Sequence, residues 1–238
     1  MDDRDVRSAA LRELAARLGI NVHDFALFER ALTHASLVAE SSEVTGDYEA
    51  LEFLGDAVLG LAIAHRLFEL APDRTPGEYS RLRAGLVNRR CVARVAQALG
   101  LAPVIRLGRG EERSGGRERT ALLADCLEAL IAAVYLDGGW ETARALVVRI
   151  FDDEIVQALR QERVWDYKSR LQNYCQAEHM PLPRFEVVRS EGPDHRKEFE
   201  VEVVLHGQPA GRGHGPTKKE AEQQAARAAL EQEGHRFD

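Results

Sequence analysis

The sequence predicts a two-domain chain, an all-α domain followed by a small α+β domain of order α-β-β-β-α. Three observations predict it. Apolar residues recur at helical spacing from Val6 to about Leu159, with no convincing alternating segment. The pattern then changes to period two, with Phe185, Val187, Phe199, Val201, Val203 and Leu205 set against Glu186, Glu198, Glu200 and Glu202. A final helical stretch with small residues closes the second unit.

Taken in order, the first domain (1–158) reads as six to eight helices. They are separated at Gly19, residues 41–46, 71–76, 100–103 and 108–116, where Gly, Pro and polar residues cluster. The longest non-periodic piece is RLGRGEERSGGRER, residues 106–119, which fits an ordered surface loop. A linker is expected over 159–165, where RQER precedes the change of pattern. The second domain (166–235) opens with a helix over 166–177. Two strands follow, punctuated by Gly192-Pro193-Asp194, then a turn at 206–208 into a short third strand over 209–213. A helix over 217–231 presents Ala221, Gln224, Ala225, Ala228 and Ala229 as a face that can lie close on the sheet. Tyr48, Phe53, Phe68 and Trp140 read as core.

The chain has 238 residues, 32 Lys plus Arg against 39 Asp plus Glu, and a formal net charge of -7. An acidic balance normally argues against a nucleic-acid partner, but the distribution is uneven. All four lysines, Lys168, Lys197, Lys218 and Lys219, lie in the last third. The longest charge-free stretches, such as residues 57–64 and 129–136, fall far short of the roughly 18 apolar residues of a membrane span. The opening MDDRDVRSAALREL has no apolar export region. Three widely spaced cysteines, Cys91, Cys126 and Cys175, form no CxxC pair. The expectation is a cytoplasmic protein with three free core thiols.

The most informative stretch is YEALEFLGDAVLGLAIA, residues 48–64. At 100° per residue, Glu49, Glu52 and Asp56 share one helix face, and that face continues into Gly60 and Ile63. A stripe that begins acidic and ends apolar lines a recess more readily than it faces bulk water. A second helix, ALLADCLEALIAAVYL at 121–136, is apolar except for Asp125, Glu128 and the Tyr135 hydroxyl. Either cluster alone fits a structural role equally well, as helix caps or partners of Arg81 and Arg83. Both together favour a metal, because packing four or five carboxylates is costly unless a cation offsets them. All-oxygen ligands suit Mg²⁺ or Mn²⁺ rather than Zn²⁺. Metal-assisted phosphoryl chemistry follows.

These residues carry a resemblance. EALEFLGDAVLG at 49–60 is very similar to the defining motif of the ribonuclease III family. THAS at 33–36, GEYSRLRAGLVN at 77–88, LGRGEERSGGRER at 107–119 and ALLADCLEALIAAVYLDGG at 121–139 resemble family segments in family order. Residues 166–235 resemble the double-stranded-RNA-binding domain that bacterial members carry. The resemblance implies a homodimeric endoribonuclease that cuts both strands of an RNA duplex and leaves 5′-phosphate and 3′-hydroxyl ends. Its substrates would be ribosomal RNA and other structured precursors, with no membrane and no organic cofactor involved. By matching positions it implies Glu52, Asp56, Asp125 and Glu128 as metal carboxylates, with Asp56 and Glu128 the catalytic pair. Glu49 would lie near the site or the subunit interface.

In the second domain, the resemblance and the chemistry of A-form RNA together nominate Gln172, Asn173 and Gln176 for one minor groove. They nominate His195 for the second, and Lys218 and Lys219 for the phosphates between. Many family domains carry another base where this chain has Glu222, so a modest affinity of the isolated domain and strong salt dependence of the whole are expected. The 106–119 loop either approaches the duplex, as in the family, or is a plain surface loop. His34 reads as a histidine bonded to backbone. One competing class is a duplex-RNA-binding protein with a dead catalytic domain. Another is an all-helical nucleotide pyrophosphohydrolase, which also carries ExxE and a later acid pair; an appended RNA-binding domain would be idle there.

Overall fold

The computed structural model describes residues 3–165, 167–193 and 197–234. His195, nominated above for RNA, lies outside the described residues. The chain divides into two compact units, Met1–Ala158 and Leu159–Asp238.

The first unit is built of helices, the last of which runs a few residues past Ala158. Its helices are α1 (Asp3–Arg17), α2 (Phe25–Ala31), α3 (Ala35–Glu40), α4 (Glu49–Leu70), α5 (Pro76–Leu86), α6 (Arg89–Ala98), α7 (Arg109–Arg113) and α8 (Thr120–Trp165). Local chemistry fixes the ends. Asp24 caps α2 and Asn88 caps α6 through bonds to the third backbone N–H beyond each. Thr75 and Glu78 form a reciprocal capping box with Pro76 in the first turn of α5. The residues expected as a linker, 159–165, are helical and form the last turns of α8.

The first half of α8 is the central element. Residues 129–133 have zero exposure, so this helix is covered on every side rather than along one stripe. α4 supplies Leu51, Val58, Leu59, Ala62, Ile63 and Leu67 to the same core. A break outside the interruptions expected above occurs inside α8 at Gly139, in the turn-forming run Asp137-Gly138-Gly139, and its φ of 76° is a left-handed conformation suited to glycine. Just before it, Asp137 accepts from the His23 and Asp24 N–H groups at 2.8 and 2.9 Å, tying the kink to the start of α2.

The 106–119 segment is more structured than a loop. It contains the short α7 and a single 3-10 turn, Gly116–Glu118. Arg106 pairs with Thr33 in an isolated bridge. The Arg117 guanidinium donates to the Ala102 and Ile105 carbonyls and pairs with Glu112. The Glu40 carboxylate, accepting from the Arg109 and Gly110 N–H groups, and the Ser36 hydroxyl, accepting from the Gly108 N–H, hold its other end.

Two aromatic expectations fail. Phe53 is 84% exposed and Phe68 61% exposed, because α4 turns Leu51, Gly55, Val58, Leu59 and Ala62 inward and leaves the opposite face uncovered. Tyr48 is buried, and Trp140 is half-buried and stacked on His65. The three cysteines are free and buried.

The second unit contains α9 (Tyr167–Ala177), β1 (Arg184–Glu191), β2 (Glu198–Leu205), β3 (Gln208–Gly215) and α10 (Lys218–Gln232). The sheet is antiparallel in order β1-β2-β3. Its core gathers Leu171 and Cys175 of α9, Val201, Val203 and Leu205 of β2, and Ala221, Ala225, Ala226, Ala229 and Leu230 of α10. The alternation in β2 behaves as expected, but Val187 in β1 is 45% exposed rather than buried. β1 is an edge strand with a register shift between Val187 and Arg189, which breaks its inward alternation.

α10 lies directly on β3 at two glycines. A Cβ on Gly213 would overlap the main chain of Ala221 and Ala225, and one on Gly211 would meet the main chain of Ala225 and Ala229. Gly213→Val is therefore expected to lose this domain at the upper end of roughly 1–3 kcal/mol for overpacking. Duplex-RNA binding would be lost while a separate thermal transition of the helical unit persists. A single unchanged transition with full binding would contradict the close approach.

Candidate active site

α4 starts at Tyr48, whose N–H is held by the Thr33 carbonyl at 3.0 Å. That fixes Glu49 and Glu52 in its first turn, where the positive end of the helix dipole favours carboxylates. α8 supplies Asp125 and Glu128. The two helices meet at Gly55, which leaves no space for a side chain: a Cβ there would overlap the Glu128 carbonyl group. That close approach brings the acids of separate helices together.

Carboxylate oxygens of Glu52, Asp125 and Glu128 all lie within 4.8 Å of one another, and all three residues are half-buried. Asp56, one turn beyond Glu52, is exposed and stands outside that group, although its charge acts on Glu128 more strongly than that of Asp125 or Glu52. Glu49 is exposed, and its field reaches Glu52.

The crowding shows in the acidities. Burial first, then repulsion from Asp56, Asp125 and Glu52, pushes the Glu128 carboxyl up to about 8. Glu52 is raised by burial and then by Asp125, and Asp125 is raised by burial. Arg89, at the start of α6, opposes these shifts on all three. The His34 Nδ1 accepts from the Ser36 N–H at 3.1 Å and caps α3. Buried carboxylates that repel one another and present only oxygen fit a hard divalent cation.

A metal-linked pH effect follows. Below the ordinary carboxyl value of 4.5, Glu128 is protonated in both folded and unfolded chains. Between there and about 8 the folded chain holds a proton that the unfolded chain lacks, so stability falls as pH rises. A cation that binds the ionised cluster offsets this loss. Mg²⁺ is expected to raise the melting temperature at pH 8 by roughly 3 °C or more, the shift for about 1 kcal/mol in a chain of this size. At pH 5 it should do little. An equal rise at both values would contradict the assignment.

In the second unit, Gln172, Asn173 and Gln176 lie on α9 away from its buried residues Tyr167, Leu171 and Cys175. Asn173 and Gln176 are exposed and Gln172 is half-buried. Lys218 and Lys219 are exposed in the first turn of α10, behind the capping Thr217. The Lys218 ammonium lies 5.8 Å from the Phe199 ring centroid.

Comparison with known proteins agrees with both units. Residues 24–154 match the family model described as Ribonuclease-III-like, and residues 167–233 match the double-stranded RNA binding motif. A Ribonuclease 3 of Syntrophobacter fumaroxidans is 44% identical over 233 residues, covering 94% of this chain and 95% of its own. One from Thermobifida fusca is 46% identical over 221 residues, covering 93% and 91%. The nuclease domain of ribonuclease III from Campylobacter jejuni, in a structure concerned with flexibility where its dimer forms, superposes with a TM-score of 0.55. It is 37% identical and covers 59% of this chain and 94% of that one.

A helical nuclease unit followed by an α-β-β-β-α RNA-binding unit defines an endoribonuclease acting on double-stranded RNA. The chain belongs to the ribonuclease III family.

Proposed function

We propose that this endoribonuclease depends on a divalent metal, cuts both strands of the duplex and leaves 5′-phosphate and 3′-hydroxyl ends. The observation that carries the reading is the convergence of Glu52, Asp125 and Glu128 from two helices into one half-buried oxygen cluster. In this reading Glu52, Asp56, Asp125 and Glu128 hold Mg²⁺, with Mn²⁺ able to substitute. When bound, the ion supplies Lewis-acid activation of water and charge neutralisation at the phosphodiester.

The residues divide the remaining work. Glu128 keeps a proton near neutral pH while the cluster is uncompensated, and releases it when positive charge enters. Asp56, exposed and acting on Glu128 through its charge, completes the catalytic pair. Glu49 is the supporting acid at the head of α4. Gln172, Asn173 and Gln176 read 2′-hydroxyls and base edges in a minor groove, and His195 a second one. Lys218 and Lys219 take the intervening phosphates, as cations at a helix start can. Residues 1–158 form the catalytic domain, 159–165 the connection and 166–235 the binding domain. Ribosomal RNA and other structured cytoplasmic precursors, messenger and transfer RNA among them, are the substrates.

The working form is a homodimer. The outward face of α4 carries Phe53, Ala57, Leu61 and Phe68 at helical spacing, and all four are exposed. An uncovered apolar stripe of this kind marks an association surface. The dimer of the similar Campylobacter jejuni domain favours a second copy as its partner. Phe53→Glu is expected to shift the chain to monomer in sedimentation velocity; an unchanged dimer would contradict this surface.

Assaying a labelled RNA hairpin beside nucleoside triphosphates tests the activity. Hairpin cleavage that requires Mg²⁺ is expected. Hydrolysis of the triphosphates alone would overturn the proposal in favour of a nucleotide pyrophosphohydrolase.

A further inference from the structure

Two bonds tie the first turn of α9 to α10. The Lys168 N–H donates to Gln223 Oε1 at 3.0 Å, and Lys168 Nζ donates to Glu222 Oε2 at 2.7 Å. The same ammonium lies 4.6 Å from the Phe185 ring centroid. Glu222 is four residues beyond Lys218 and three beyond Lys219, so its carboxylate neighbours both on the helix surface.

The helices do not need this ion pair to stay together. Leu171 and Cys175 of α9 pack in one buried cluster with Ala225, Ala226, Ala229 and Leu230 of α10. The Lys168 and Glu222 side chains remain 33% and 27% exposed, and ion pairs so open to water contribute little to stability. The main consequence of Glu222 is electrostatic. It sets a negative charge beside the two exposed lysines, and it engages a third lysine that could otherwise turn towards a polyanion.

We propose that Glu222 is a charge brake on duplex-RNA binding, acting by opposing Lys218 and Lys219 and by withholding Lys168. The inference rests on the reading of Lys218 and Lys219 as phosphate contacts. It gives the acidic residue at this position a role: the domain grips the phosphate backbone less firmly than its lysines permit, and duplex products leave sooner.

The test uses the full-length chain carrying Glu128→Gln, expected to bind without cutting, with a perfect RNA duplex as the probe. Affinity is measured in Mg²⁺ between 50 and 200 mM KCl. Adding Glu222→Gln is expected to tighten binding and to steepen the log-log salt dependence by about 0.9, the signature of one more phosphate contact. The gain over the parent then grows about threefold from 200 to 50 mM salt. Lys168→Met alone should leave binding near the parental value, and combined with Glu222→Gln it should remove the share of the gain that Lys168 supplies while leaving the share that comes from unopposed Lys218 and Lys219.

Thermal unfolding confirms that each variant is folded. Glu222→Lys, expected to bind more tightly still, provides a second variant should the glutamine disturb folding. Unchanged or weaker binding by folded Glu222 variants overturns the brake. So does a loss from Lys168→Met alone as large as that from Lys218→Met. A parent indifferent to both Lys218→Met and Lys219→Met would contradict the phosphate contacts themselves, and the brake with them.

Discussion

Glu128→Gln is expected to lower duplex-RNA cleavage in Mg²⁺ by a factor on the order of 10³, the scale set by removing one preorganised electrostatic contact from an active site. Binding of the same duplex should persist. The substitution keeps shape and removes charge from a carboxyl whose ionisation is opposed by burial and by Asp56, Asp125 and Glu52. Without metal, the variant should therefore be more stable than the parent at pH 8 and nearly equal to it at pH 5. Stability and activity moving in opposite directions is the signature of a strained functional site. Cleavage within tenfold of the parent would remove Glu128 from the catalytic pair. Loss of binding together with cleavage would point to misfolding, which the melting curve would reveal.

Gly55→Ala is expected to act through backbone position. Its methyl group has no space against the Glu128 carbonyl, so α4 must move away from α8. Overpacking of this kind costs roughly 1–3 kcal/mol, or about 2–12 °C in a chain of this size. A displacement near 1 Å of Glu52 and Asp56 from Asp125 and Glu128 would lower cleavage by about 10². Gly85→Ala in α5 is the control, since a Cβ there meets nothing within 4 Å. Exposed helical Gly→Ala is neutral or stabilising. If the two variants melted and cut alike, the close approach of α4 and α8 would not be what assembles the site.

Much of this arrangement is legible in the sequence because the signals are local. Glu49, Glu52 and Asp56 share a helix face by spacing alone, and Asp125 and Glu128 stand out because α8 is otherwise apolar there. Period-two alternation announces β2, and Thr217 before Lys218-Lys219 announces α10. What the sequence conceals depends on tertiary packing. Hydrophobicity cannot say whether Phe53 and Phe68 turn towards the chain's own core, and α4, apolar on two faces, turns them outward. The same limit applies to Val187, exposed on a bulged edge strand. Arg89 is distant in sequence from the acids it offsets and becomes relevant only when α6 is placed beside them. The separation of Asp56 from the tight trio is also tertiary, because the sequence places it on the same face as Glu52.

The central claim is that this acid cluster powers metal-dependent scission of both strands of duplex RNA. Its most direct test is a long perfect RNA duplex digested in Mg²⁺, with products sized under native conditions and their ends analysed. Short duplexes with 5′-phosphate and 3′-hydroxyl ends are expected, and chelation should abolish them. Products that keep one strand intact, carry 3′-phosphates, or form equally well in chelator would contradict the claim.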